Sequence, residues 1–526
     1  MSGEIKEECA VAAVSLPSPV DTYPHGAAAF YLYHMLLRMQ NRGQLAAGIT
    51  TYDPNRPQLL DTRKRLGTVN NMFAMDFKPK ADAIMQRYSG TRGIGHTRYS
   101  TTGGDDEGSA QPFERHHGRR WKWFAFSFNG NIANFLDLKA ELEKESYHLV
   151  RNLDTEVILH FLEKSQIGAS KVDMKDVFAD LTEKFDGAYN IAYINAEGTT
   201  AVMRDPMGIR PMSYAIGDSF AGAASENIAL ENFANPDSQI KPLRPGEMLI
   251  SEGDSVEVKR FAKSPRNAHC MFEYVYFSNP TSILDGRSVY ETRWNLGVDL
   301  ARHETLDVND RDYVVVPVPD TAKPAADGYA KTLGLPSMEG LMKNRGYTGR
   351  TFIESGERMD KVKQKYNINR PVLKDKKVIL IDDSIVRGTT SKFLVRYVRS
   401  AGPAQVHMRV TCPPVRSPCF YGIDMSTAGE LIANRHSNEE QLYRTGWTDL
   451  DDEVVQKIAK EIGVDSLSYI GFDGLVNSIG FENGKKDMCA ACLTGEYPTA
   501  CGQKLRDKAL AMYKKNGEAR RTYDSA

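Results

Sequence analysis

A chain of 526 residues, 41% hydrophobic and 26% charged, is too long for one compact core and carries enough apolar side chains to fill two large ones. Sixty-seven basic residues against sixty-eight acidic ones leave a net charge of -1, without the basic footprint by which nucleic-acid binders displace counterions. The longest apolar stretch, Ala27 to Leu37, is too short to cross a bilayer, and the acidic start MSGEIKEEC has no signal-peptide core, so no membrane partner and a cytoplasmic, reducing location are expected.

In chain order, short alternating segments at 123–128, 189–193 and 248–250 predict antiparallel strands, with helices at 26–39 and 155–164, the rhythm of an α+β unit. The rhythm changes near residues 255 to 270. Beyond it, β-branched runs at 313–318, 378–381 and 406–410 alternate with helical stretches such as 391–400, which predicts a parallel α/β sheet whose ligands gather at the strand carboxyl ends. The tail holds a CAAC pair at 489–492 and a basic amphipathic stretch from Gln503 to Lys515, expected to pack on the second unit.

The string VILIDDSIVRGTTS, Val378 to Ser391, joins an apolar strand, two adjacent acids and a small-residue loop to a helix. Gly388, Thr389 and Thr390 can offer backbone N–H groups and hydroxyls to a phosphate at the start of a helix near Ser391, where the helix dipole favours an anion. Asp382 and Asp383 suit ribose hydroxyls and magnesium.

This string resembles the phosphoribosyl pyrophosphate (PRPP) motif of the type I phosphoribosyltransferases, and its IVRGTTS ending resembles the glutamine PRPP amidotransferase family in particular. The resemblance continues through VPDTAKPAA at 318–326, GLMKNRGYTGRTFI at 340–353 and CFYGID at 419–424. It implies Thr321 as a magnesium ligand beside Asp382 and Asp383, and a PRPP site that also uses Arg387, Gly388, Thr389 and Thr390. Lys343 and Tyr347 fall on the segment that in this family closes over PRPP; Gly346 is inserted there relative to the usual pattern.

In the first unit, EECAVAAV resembles the start of the N-terminal-nucleophile amidotransferases, which implies removal of Met1 to Glu8 so that Cys9 becomes the first residue. A free α-amine, with a pKa of about 7.7 to 8.0, can take the proton of its own thiol, so no histidine base is needed. The strings IGHTRYSTTG at 94–103, FNGNIAN at 128–134 and DTEV at 154–157 match the same family's glutamine pocket, and RGQ at 42–44 and RDPMGIRP at 204–211 extend the match. The implied roles are glutamine binding by Arg98, Thr101 and Asp154, the first gripping the α-carboxylate and the last the α-ammonium, and an oxyanion site at Asn129 and Gly130. Ala10, Asn41 and Leu153 depart from the commoner glycine, histidine and serine of that pattern.

Of the seven cysteines, Cys9 stands alone and six lie beyond residue 269. CxxC spacing suits zinc or an iron–sulfur cluster, but two thiols complete neither, and spacing does not say whether Cys412 or Cys501 joins them. The resemblance implies the branch that carries a 4Fe-4S cluster, held by Cys270, Cys419, Cys489 and Cys492.

Taken together, the resemblance implies an α+β N-terminal-nucleophile domain (an αββα sandwich) at 9–262, an α/β type I phosphoribosyltransferase domain with a parallel sheet at 263–480, and a cysteine-containing tail at 481–526. The implied activity transfers ammonia from glutamine to magnesium-bound PRPP, in a homo-oligomer, dimer or tetramer, with purine nucleotides as feedback inhibitors. A non-catalytic PRPP sensor is the alternative from another class, and a glutaminase serving a different acceptor is a third reading.

Overall fold

The computed structural model describes residues 9–16, 27–99, 107–151, 153–167, 172–218, 220–234, 239–344, 358–425, 427–446 and 448–516, with 358–361 and 516 by backbone alone. Two antiparallel sheets make up the first unit. In one, the seven strands run in spatial order Lys241–Pro242, Ser213–Ile216, Ala221–Ala224, Ala10–Ser15, Arg92–Arg98, Ala46–Tyr52 and Leu60–Leu66. In the other, the order is Ser255–Arg260, Glu247–Glu252, Thr200–Arg204, Gly187–Asn195, Phe124–Ile132 and Phe113–Arg115.

The period-2 pattern of these strands decides the layering. Val11, Ala13, Ala125, Ala192 and Ile194 point into the seam between the sheets. Their neighbours Ala10, Ala12 and Val14 face helix Ala27–Arg38, while Phe124, Phe126, Phe128, Tyr189 and Tyr193 face helices Phe135–Lys144, Asp154–Lys164 and Met174–Lys184. The result is four layers, helix on sheet on sheet on helix, with mostly aliphatic side chains in the seam and aromatic ones under one set of helices.

The second unit is built on a parallel sheet, Tyr313–Pro317, Lys377–Asp382, Gln405–Val410 and Ser466–Tyr469, in that spatial order. Both faces are buried: Val314, Val316, Val378, Leu380, Val406 and Met408 pack on one side, Val315, Ile379 and Ile381 on the other. This is why these strands read as continuous apolar runs. The second face shares its core with Ala133, Ala188 and Ile209 of the first unit, so the two units meet over a common apolar layer. Among the described residues no helix is long and apolar enough to cross a membrane.

The tail differs from its expectation in one respect. Helix Ala500–Asn516 does pack on the second unit, with the Arg506 guanidinium donating to Tyr443 O at 3.1 Å, but Cys501 N also donates to Asp186 Oδ2 of the first unit at 3.1 Å. The tail therefore touches both.

Candidate active site

Cys9 immediately precedes the central strand Ala10–Ser15, whose register pairs Ala10 with Thr97 and Val11 with His96. One residue further, that register sets Cys9 beside Arg98. The thiol lies 3.6 Å from Tyr99 O. Burial pushes the thiol pKa up, opposed by that contact and by the charges of Arg98 and Arg42, so deprotonation calls for a base. His96 does not supply one: its Nε2 sits 3.1 Å from Phe128 O, and burial pushes its pKa down to about 3, which leaves a neutral ring.

Asp154 opens helix Asp154–Lys164 and accepts from Thr155 N at 2.8 Å. Dense packing pushes its carboxyl up to about 6, against the pull of backbone N–H groups and the charge of Arg98. Asp154, Arg98 and Cys9 all feel one another's charge, so the three are neighbours. Asn129 donates to Ser225 Oγ at 3.5 Å, and the same oxygen accepts from Val11 N at 3.0 Å, which ties the Asn129 amide to the strand that follows Cys9. Gly130, at φ 147°, is in the region reserved for glycine, and a Cβ there would collide with the carbonyl oxygen of Ala188 on the neighbouring strand. Thr101 and the leader lie outside the described residues.

At the carboxyl end of strand Lys377–Asp382, Asp383 accepts from the Thr321 hydroxyl at 2.5 Å and from Ser384 Oγ at 2.7 Å. Burial raises the Asp383 carboxyl, with these donors and the charges of Arg293 and Lys365 pulling against it. Asp382 holds Asp383 N at 3.0 Å. The structure thus brings Thr321 and Asp383 together, with Asp382 next to them in the chain. Gly388, at φ 73°, ends the loop, and the helix runs Thr389–Arg399. It starts two residues before Ser391 because the left-handed glycine turns the chain directly into it, so Thr389 and Thr390 form its first turn. Arg387 is engaged by Glu430 at 2.9 Å and by Asp424 O at 3.2 Å. Lys343, half-exposed, stands 3.6 Å from Asp320 Oδ2; Tyr347 and Gly346 lie outside the described residues.

Cys270, Cys419, Cys489 and Cys492 line one small cavity, whose wall Arg210, Tyr421 and Tyr497 complete. Cys270 and Cys489 are register partners in a short parallel bridge, and Tyr421 N donates to Cys419 Sγ at 3.4 Å. Burial pushes the Cys492 thiol well up, reinforced by the charges of Cys419, Cys270 and Cys489. Among the described residues no three His, Cys, Asp or Glu side chains converge on a single metal ion. A cubane does not require that, because each of its four thiolates binds a different iron. Magnesium commonly takes one or two carboxylates and completes its shell with waters and substrate phosphates.

Sequence reasoning did not assign roles to Arg42, Glu226, Glu273 or Arg293. Arg42, in RGQ, donates from Nε to Cys9 O at 3.3 Å and from its two terminal nitrogens to Glu273 at 2.8 and 2.7 Å. Asn41, the departure from the usual histidine, donates to Phe277 O at 3.0 Å and so joins the same interface.

Residues 96–232 match the glutamine amidotransferase domain family. The chain is 40% identical to an amidophosphoribosyltransferase of Methanothermobacter thermautotrophicus over 479 residues, 90% of this chain and 91% of that one. It is 35% identical to the amidophosphoribosyltransferase of Bacillus subtilis over 510 residues, 95% of this chain and 96% of that one. Among solved structures, the glutamine PRPP amidotransferase from B. subtilis complexed with ADP and GMP superposes with a TM-score of 0.78 at 33% identity, covering 94% of this chain and 98% of that one. A structure described as the allosteric regulatory enzyme of purine biosynthesis superposes with a TM-score of 0.79 at 33% identity, covering 95% and 99%.

Proposed function

This chain belongs to the amidophosphoribosyltransferase family, and from that premise we propose that it transfers ammonia released from glutamine to PRPP, giving 5-phosphoribosylamine, glutamate and pyrophosphate, the first step of purine synthesis de novo. The observation that carries the reading is the length of the match: both units, each with its own cluster of reactive side chains, align with relatives that bear this name. A PRPP sensor would have no use for the setting of Cys9, Arg98 and Asp154.

In the first unit, an N-terminal-nucleophile domain in this reading, Arg98 holds the glutamine α-carboxylate and Asp154 the α-ammonium, with Thr101 as a further contact. Cys9, freed at its amine by loss of the leader, gives up its thiol proton to that amine and attacks the side-chain amide carbon; Asn129 and Gly130 N–H receive the developing oxyanion. Ammonia leaves and water later releases glutamate from the thioester. In the second unit, a type I phosphoribosyltransferase domain, the N-terminus of helix Thr389–Arg399 suits the 5-phosphate, while Lys343, Tyr347 and Arg387 complete the PRPP contacts. Thr321, Asp382 and Asp383 present the oxygen donors magnesium prefers, and when bound it withdraws charge from the departing pyrophosphate.

Cys270, Cys419, Cys489 and Cys492 fit a 4Fe-4S cluster on three grounds: four thiols around one apolar cavity, an N–H donor on one sulfur, and a cationic guanidinium at the wall. The cluster would pin the tail to the sheet unit, a structural role. Purine nucleotides, of which the B. subtilis structure holds ADP and GMP, are proposed as feedback inhibitors of a cytoplasmic homo-oligomer.

The test is Cys9→Ala. Glutamine-dependent pyrophosphate release is expected to disappear while release driven by ammonium chloride persists. Retained glutamine dependence would refute the assigned nucleophile, and intact mass of the wild-type protein checks the loss of Met1 to Glu8.

A further inference from the structure

Where the two units meet, five charged side chains lie almost wholly inside the protein: Arg42, Arg210, Glu226, Glu273 and Arg293, each at most 2% exposed. None is assigned to either reaction. We infer that Glu273 is a positioning residue for the glutaminase centre, supplied by the second unit: it locks Arg42, and Arg42 holds the backbone of Cys9. This inference rests on the proposed function and adds a residue to it.

The geometry accounts for nearly every donor of Arg42. Its Nη2 reaches Glu273 Oε1 at 2.7 Å, its Nη1 reaches Glu273 Oε2 at 2.8 Å and Glu226 Oε1 at 3.0 Å, and its Nε reaches Cys9 O at 3.3 Å. The two carboxylates are fixed in turn. Glu273 Oε2 accepts from Ser278 Oγ at 2.6 Å, and Oε1 stands 3.5 Å from Arg210. Glu226 Oε2 accepts from Asn279 N at 2.9 Å and Ser282 Oγ at 2.6 Å. The five side chains are three cations and two anions, and Asp383 is a further anion whose charge reaches Arg293.

Glu273 begins the turn Glu273–Phe277, whose side chains Tyr274, Val275 and Phe277 belong to the core of the second unit. Arg293, on helix Val289–Arg302, clamps that turn by donating to Tyr274 O at 3.0 Å and to Tyr276 O and Ser278 O at 2.9 Å. The carboxylate that steadies the nucleophile of one unit is thus held rigidly by the framework of the other. A buried ion pair contributes little net stability over an apolar pair of similar shape, because desolvation offsets its attraction. A planar guanidinium spread over two carboxylates and a carbonyl does fix geometry, however. Release of Arg42 would let Cys9 drift from the amide carbon, and a displacement of about 1 Å costs on the order of 100-fold in rate.

The test compares Glu273→Gln with wild type in the full-length protein, reading PRPP-dependent pyrophosphate release driven by glutamine and, separately, by ammonium chloride. The glutamine-driven kcat is expected to fall about 10- to 100-fold, with the glutamine KM within about 3-fold because Arg98 and Asp154 are untouched. The ammonia-driven rate should stay within about 2-fold of wild type, since the change spares the PRPP site. Equal loss of both rates, or no loss of either, overturns the inference. If Glu273→Gln does not fold, Ser278→Ala removes one hydrogen bond from the same carboxylate and is expected to lower the glutamine-driven rate about 3-fold, with the ammonia-driven rate unchanged; an unchanged glutamine-driven rate overturns it too. A wild-type protein with no glutamine-driven rate would instead sink the proposed function, a result visible before any variant is made.

Discussion

Asp154 sits under opposed influences: dense packing pushes its carboxyl from about 3.8 up to about 6, while the N–H groups of Thr155 and Ile132 and the charge of Arg98 pull it down. Below about pH 4 it is protonated in both the folded and the unfolded chain, and its contribution to stability is intact. As pH rises from about 4 to about 6, the unfolded chain ionises while the folded one still holds its proton, and stability falls by up to about 3 kcal/mol, less what solvent screens. Asp154→Asn removes that loss, so thermal unfolding of the ligand-free variant is expected a few degrees higher than wild type at pH 7.5 and no higher at pH 4. In the proposed glutamine site, bound glutamine would reverse the balance, since its ammonium favours the carboxylate. The same variant is expected to raise the glutamine KM at least about 30-fold and to leave the ammonia-driven rate alone. In wild type, the glutamine KM should climb as pH falls below about 6. Higher thermal stability with an unchanged KM would remove Asp154 from the glutamine site.

The loop proposed to hold the PRPP phosphate depends on a single backbone conformation. Gly388 has φ 73°, and a Cβ there would collide with Ile432 Cδ1. In Gly388→Ala the left-handed conformation costs about 1–2 kcal/mol before that collision is counted, and relief by shifting the loop would move the first turn of helix Thr389–Arg399. PRPP saturation curves are expected to show a KM about 10-fold higher or more, equally with glutamine and with ammonia as nitrogen source. That symmetry separates it from the Asp154 variant, and a loss confined to glutamine would place the loop elsewhere. This element was legible in the sequence because a strand, a loop of small residues and a helix follow one another locally. The helix starts two residues before the expected Ser391, because a glycine's sign of φ leaves no pattern in its neighbours. The seam strands were legible for a similar reason: Phe124, Phe126 and Phe128 alternate with Ala125 and Ser127 as a two-sided strand must. The charged interface was not. Arg42 and its partners Glu226 and Glu273 stand 184 and 231 residues apart in the chain, and a buried charge looks like a surface charge until its partner is known.

At the scale of the whole molecule, the cysteine cavity is the point at which three distant stretches of chain meet. The loop that carries Cys419 leans on strand Phe124–Ile132: Asn131 Nδ2 donates to Phe420 O at 3.0 Å, and Gly422 lies against the backbone of Gly130. Arg210 closes the cavity, bonds Tyr421 O at 3.1 Å and faces Glu273 at 3.5 Å. Four thiols converging on a cluster would hold this loop, the bridge at Cys270 and Cys489, and the tail in one arrangement. Protein purified without oxygen is therefore expected to carry about four iron atoms and four sulfides per chain. Cys489→Ser should lose them, unfold at lower temperature, and lose glutamine-driven turnover more than ammonia-driven turnover, because the slackened loop borders Gly130 rather than Asp383. Cys412→Ser, which alters a buried thiol that does not line the cavity, should keep its iron. Zinc in place of iron would make the site a four-thiolate structural ion instead. Full iron retention in Cys489→Ser would mean that the cavity is not where the metal sits, and that no cluster braces the loop against Gly130.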